Sequence, residues 1–204
     1  MNPHDHRPIA DASWAPTAER PVVERGTKTS AVYTNLAGGT GNRVFDVLGP
    51  TIEFLNNGPG DAGGSDEICI MRGVVPPGVT VPLHSHDDYE GFLVLSGTQQ
   101  VLVADGPDLT WRDARAGDYV HVPGGVVHAH RNISDEPAVD LIVTTARLGQ
   151  FFRELSGPQG RPPTPRAMAR FVELAMDYGY WLGSVEENAS VGIELPTLPA
   201  EEKT

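Results

Sequence analysis

From Arg43 to Thr145 the chain reads as short runs of β-branched and aliphatic residues separated by glycine, proline and aspartate turn signals. The candidate strands are 43–48, 51–55, 67–75, 79–83, 90–96, 98–104, 109–113, 118–122, 126–131 and 138–145. Regular spacing of this kind constrains the fold to an all-β sandwich or barrel. The abundance of glycine (23) and proline (18) fits that class better than a helical bundle. Asp105-Gly106 marks a tight connection, and the glycine-rich stretch 56–66 reads as a loop. There is no internal repeat, so one barrel is expected and not two.

The flanks differ. Residues 1–40 are polar and interrupted by Pro3, Pro8, Pro16 and Pro21, which reads as an N-terminal arm that orders only against a neighbour. Ala37-Gly38-Gly39-Thr40-Gly41 lacks the lysine and hydroxyl of a phosphate loop and is read as a plain turn. The barrel is assigned to 41–147 and the C-terminal helices with an acidic tail to 148–204. Within the latter, 148–155 suits a short helix stopped by Gly157-Pro158, and Pro162, Pro163 and Pro165 suit an extended linker. Over 166–182, Met168, Phe171, Val172, Ala175, Tyr178 and Leu182 recur at spacings that give a helix one apolar face.

A net charge of −12 without any Lys/Arg run argues against a nucleic-acid partner. No apolar stretch approaches the roughly 20 residues of a membrane helix, and the N-terminus has no apolar signal region; a cytoplasmic protein is expected. Cys69 is the single cysteine, so an intrachain disulfide is excluded, and its apolar surroundings suit a core position.

The chemistry-bearing residues fall in two places. His84 and His86 are two apart on an extended segment, and Glu90 keeps the same parity, so all three side chains can line one wall. His128 follows the Pro123-Gly124-Gly125 turn, and if its strand lies opposite the first it closes the set. Three imidazoles and one carboxylate suit one divalent transition ion (Fe, Ni, Mn, Cu or Zn). Four protein ligands leave positions open on an ion that prefers five or six.

These residues resemble the cupin family. Gly78, His84, His86, Glu90 and Gly97 fit the family's first motif without a gap, and Gly117, Pro123, Gly125, His128 and Asn132 fit the second. The resemblance implies a double-stranded β-helix, or jelly-roll barrel, with a metal at His84, His86, Glu90 and His128. It also implies a homodimer paired through N-terminal strands. Some cupins have lost their metal and serve as isomerases, storage proteins or sensors, but those usually lack a ligand that this chain keeps.

More loosely, the chain resembles bacterial single-barrel quercetinase-like cupins, in the ligand set, in Phe151-Phe152-Arg153-Glu154-Leu155 and in Asp177-Tyr178-Gly179. This implies a metal-dependent dioxygenase acting on a flavonol or similar enolic aromatic, with O2 as co-substrate and Glu90 as base. A metal-dependent lyase, isomerase or cyclase and a non-catalytic ligand-binding protein are the alternatives.

Other residues have two readings each. His130, two beyond His128, is either an acid/base or hydrogen-bonding partner of the site, or a buried histidine satisfied by backbone. Asp88 shares the parity of Glu90 but is read as a solvated turn carboxylate. His4 and His6 are read as solvated, and the facing of His121 is open. Tyr89, Phe92 and Trp111 are read as packing. Phe151, Phe152, Tyr178 and Trp181 either anchor helices on the barrel or roof its mouth. Of Ile70, Val74, Phe92, Val94, Val101, Val103, Val120 and Val127, alternation puts only part inside.

Overall fold

A computed structural model describes residues 36, 40–56, 68–105, 108–155 and 164–195. The arm with His4 and His6, the loop from 57 to 67, Gly106, Pro162 and Pro163, and the tail from 196 lie outside the described residues. The strands in chain order are β1 (Val44–Asp46), β2 (Thr51–Phe54), β3 (Ile68–Val75), β4 (Thr80–Ser85), β5 (Glu90–Ser96), β6 (Thr98–Asp105), β7 (Asp108–Arg115), β8 (Tyr119–Val122), β9 (His128–Arg131) and β10 (Ala138–Thr145). Then come α1 (Ala146–Leu155), α2 (Pro165–Asp177), the two-residue β11 (Trp181–Leu182) and α3 (Val185–Ser190). Every strand expected over 43–145 is present, with its ends moved by a residue or two.

The strands form two antiparallel sheets, ordered β1-β2-β3-β10-β5-β8 and β11-β4-β9-β6-β7. This is the jelly-roll barrel of the cupin type, followed by helices. Alternation drives the core: β3 and β10 bury every second residue along their lengths. Phe45, Ile52, Phe54, Cys69, Met71, Phe92, Val122 and Ile142 make the largest cluster, and Val94, Val101 and Ala114 make another. Among the apolar residues of which only part is expected inside, Phe92, Val94 and Val101 are buried. Ile70 and Val74 take the opposite face of β3 from Cys69 and Met71, and Val127 packs with the cluster on the other face of the second sheet.

The passage from β5 to β6 is made by Gly97 alone, at φ 74°. A Cβ there would lie 2.4 Å from the Pro137 carbonyl oxygen, so both conformation and space require glycine.

The C-terminal region departs from the expectation of one long helix over 166–182. Thr164 caps α2, accepting from the Ala167 amide, with Pro165 at the first turn. The helix ends at Asp177 because Gly179 adopts φ 76° and the Tyr180 amide turns back to the Ala175 carbonyl. Of the residues that share a helical spacing with α2, Tyr178 is instead the C-cap of the helix and Leu182 lies in β11. The acidic segment after it contains α3, closed by a capping box in which Ser184 and Glu187 exchange hydrogen bonds. Asn188 on α3 is buried and accepts from the Leu83 amide at 2.9 Å. Ile193 joins Leu83, Leu102 and Ala129 in covering the second sheet's other face. Trp111 donates to the Val191 carbonyl and lies under the Arg131 guanidinium, a packing role as expected. Among the described residues no helix is long and apolar enough to cross a membrane.

Candidate metal centre

His84 lies near the end of β4, His86 in the short loop after it, Glu90 at the start of β5 and His128 at the start of β9. The register pairs His84 directly with His128 across the β4/β9 ladder. Glu90 comes from the facing sheet. The two sheets therefore meet at these four side chains, and one donor atom from each lies within 4.8 Å of all the others.

The orientation of the rings is fixed by backbone. The Nδ1 atoms of His84, His86 and His128 sit 2.7, 2.8 and 2.8 Å from the carbonyls of Pro82, Asp88 and Val126. A carbonyl can only accept, so each Nδ1 carries a proton and Nε2 is the nitrogen turned to the cluster. The Nε2 atoms of His86 and His128 both lie 3.4 Å from Glu90 Oε2. His128 Nε2 is buried without a hydrogen-bond partner. A buried imidazole nitrogen without a hydrogen-bond partner, beside a carboxylate oxygen and two further imidazoles, fits a divalent cation.

Electrostatics agree. Burial raises the Glu90 pKa, but His128 and His86 outweigh it and hold the carboxyl below the usual range. Burial works against a charged His86, yet the Glu90 carboxylate prevails and raises its pKa. Desolvation, reinforced by His128, pushes His84 down to about 3, so that ring is neutral and ready to donate its lone pair.

Around this cluster the loop 86–89 is pinned from several sides. The Gly125 amide donates to the His86 carbonyl at 2.7 Å, and the Thr144 hydroxyl donates to the Tyr89 carbonyl at 2.6 Å. Asp88 is not a solvated turn carboxylate: it is 7% exposed and accepts from the Thr145 hydroxyl and the Arg147 guanidinium. The sequence reading missed this because Asp88's partners lie almost sixty residues downstream. Arg147 also donates to the Tyr178 carbonyl.

Gly124 supports the same loop. A Cβ on it would lie 2.1 Å from the Asp87 carbonyl oxygen. Substituting Gly124→Ala is expected to displace the His86-bearing loop and weaken metal affinity by about 10- to 100-fold. The accompanying loss of stability in metal-free protein is expected to be only about 1–3 kcal/mol. Competition titration against a chromophoric chelator, alongside urea unfolding, measures both; an affinity equal to wild type contradicts the role of that contact.

His130 is half-buried, with its ring 5.5 Å from Phe92 and its Nδ1 buried and without a hydrogen-bond partner. Desolvation pushes it down to about 4. Backbone therefore does not satisfy Nδ1, contrary to one of the two readings above. His121 is exposed on β8. Phe151 and Tyr178 pack between α1 and α2, while Trp181 is 40% exposed. The aromatic residue against the ligands is Tyr180, which the sequence reading did not single out. Its ring lies 4.9 Å from His86 and 6.1 Å from His84.

Residues 71–144, which span all four of these side chains, match the family model described as Cupin domain. The chain carries a cupin domain. No curated protein matches it. A sugar phosphate isomerase of the cupin superfamily from Silicibacter pomeroyi is 26% identical over 48% of this chain and 60% of its own, with a TM-score of 0.40. The DMSP lyase DddQ from Ruegeria pomeroyi is 30% identical over 40% of this chain and 39% of its own, with a TM-score of 0.35. The polyketide cyclase RemF from Streptomyces resistomycificus is 18% identical over 58% of this chain and 80% of its own, with a TM-score of 0.47. The chain thus covers less than two thirds of the first two.

Proposed function

We propose that this cupin is a metal-dependent enzyme that holds one divalent transition ion through His84, His86, Glu90 and His128. We further propose that it dioxygenates a small enolic or aromatic substrate of the flavonol kind. The observation that carries the metal reading is the convergence of four donor atoms within 4.8 Å, with every imidazole already oriented by a backbone carbonyl. The dioxygenase reading draws its support from the resemblance of the ligand set and of the Phe151–Leu155 segment to quercetinase-like cupins.

A bound ion would act as a Lewis acid, acidifying a substrate hydroxyl or enol that reaches it. The protein's own contribution is orientation and charge. Glu90, held ionised by two imidazoles, supplies the one negative charge of the cluster at Oε2. While His86 and His128 remain against it, Glu90 is a weak base, and it accepts a proton only when one of those contacts is exchanged. His130 stays neutral at pH 7, with an unpartnered Nδ1, and is the acid/base candidate. Phe92 and Val94 give the interior an apolar wall suited to an aromatic ring.

The test pairs elemental analysis of protein purified without added metal with oxygen uptake on flavonols and other enols. The expected result is about one equivalent of metal and O2 consumption that tracks substrate loss. Turnover at an unchanged rate without O2 would move the assignment to a lyase, isomerase or cyclase. Protein that takes up no metal would return it to a ligand-binding role.

A further inference from the structure

We propose that Tyr180 is a positioning residue for the ligand imidazoles: its ring is the outer wall against which His84 and His86 are held. The inference rests on the metal-site reading above.

The Tyr180 ring is nearly parallel to that of His84, at 6°, and tilted by 44° to that of His86. Behind it, Phe151 stacks at 4.6 Å and 22°, and Phe151 is itself only 2% exposed. The tyrosine ring is therefore held between a rigid aromatic surface and two ligand rings.

The chain that carries Tyr180 is tied to the ligands on both sides. Immediately after it, β11 pairs with β4, Trp181 opposite Ser85 and Leu182 opposite His84. The Gly183 amide then donates to the Leu83 carbonyl at 2.8 Å. Before it, Arg147 bonds the Tyr178 carbonyl and also the Asp88 carboxylate. Asp88 in turn presents the carbonyl that orients His86. One arginine thus couples the loop bearing His86 to the strand that brings Tyr180 over it.

The Nδ1 hydrogen bonds fix each imidazole at one atom, which leaves rotation about that bond to be limited by whatever the ring face touches. Within the cluster His84 and His86 face His128, with ring centroids 4.1 and 5.2 Å away; outside it, the aromatic ring they face is Tyr180. Its flatness, rather than its hydroxyl, is what the role requires. Removing the ring lets the two imidazoles rock away from the convergent arrangement, which speeds metal loss and lowers ligand-field symmetry without removing a ligand.

The experiment uses full-length protein loaded with Co2+ alone. It follows the visible ligand-field bands and the first-order release of Co2+ to excess chelator. Tyr180→Phe is expected to match wild type in both. Tyr180→Leu, apolar but not planar, is expected to release Co2+ about 10-fold faster or more and to alter the bands. Phe151→Leu, which leaves Tyr180 in place but removes its backing, is expected to fall between them, and it decides the matter if the Tyr180→Leu protein does not fold by circular dichroism. A folded Tyr180→Leu protein, or in its absence Phe151→Leu, with wild-type bands and release rate overturns the inference. A slow-releasing Tyr180→Leu with a fast-releasing Tyr180→Phe also overturns it, because the hydroxyl would then be the active feature. Wild-type protein that takes up no Co2+ overturns the metal-site reading itself, and is told apart by needing no variant.

Discussion

His128→Ala is expected to abolish tight metal binding while leaving the barrel folded. The ring sits at the start of β9, opposite His84 in register and with its Nε2 3.4 Å from Glu90 Oε2, and among the described residues no fifth His, Cys, Asp or Glu joins the four-donor group. Wild-type protein should gain about 2.7 kcal/mol of unfolding free energy at metal concentrations near 100 times Kd. For a chain of this length that is a rise in Tm of roughly 5–10 °C. His128→Ala should show almost none of that gain and should lose catalytic turnover with it. Metal-free variant and wild type should unfold at similar denaturant concentrations, because the deletion also removes a ring nitrogen that is buried without a hydrogen-bond partner. Equal metal content in the variant after dialysis would refute the ligand set.

The second large effect lies away from the ligands. Asp140 on β10 is 1% exposed, and its two carboxylate oxygens accept only from Gln99 Nε2, each at 3.0 Å. Gln99 comes from the opposite sheet, and its Oε1 is buried without a partner. Burial raises the Asp140 pKa and the Gln99 amide lowers it; burial dominates and the value rises from 3.8 to about 7. A carboxyl whose folded pKa lies above its unfolded value favours folding in its protonated form. That contribution is complete below the unfolded pKa and is lost as pH rises through the folded one. Across the window from about pH 4 to about pH 7 the loss from this group alone is about 4 kcal/mol. Asp140→Asn cannot ionise, and its amide can donate to Gln99 Oε1 as well as accept from Nε2. Metal-free Asp140→Asn should therefore be more stable than wild type by about 2–4 kcal/mol at pH 8, the two converging towards pH 4. Urea unfolding of both proteins across that range measures the difference, and parallel profiles would exclude the assignment.

The sequence made the barrel legible because its signals are local. Strands alternate at a period of two, turns carry glycine and proline, and parity alone put His84, His86 and Glu90 on one wall. The features it hid depend on contacts between distant segments. Asp88 looked like a turn carboxylate because Thr145 and Arg147, which bury it, belong to β10 and α1. Leu182 keeps the helical spacing of α2 beyond Gly179, where the helix has already stopped, so spacing alone reads the strand next to Tyr180 as helix. Ser184 and Glu187 carry a capping box, but no apolar run follows to announce α3. Alternation leaves open which of Ile70, Val74 and the other apolar strand residues face inward, and the burial pattern of β3 puts these two opposite Cys69 and Met71.

Strand β4 acquires its two hydrogen-bonding neighbours from very different distances along the chain. One side is closed by β9, and the other by β11 and by Asn188, whose bond to Leu83 spans 105 residues. Closing so long a loop costs entropy that only the finished contacts return. The strand bearing His84 is therefore expected to reach full rigidity only once the C-terminal segment has docked, so that ion capture follows barrel closure rather than nucleating it.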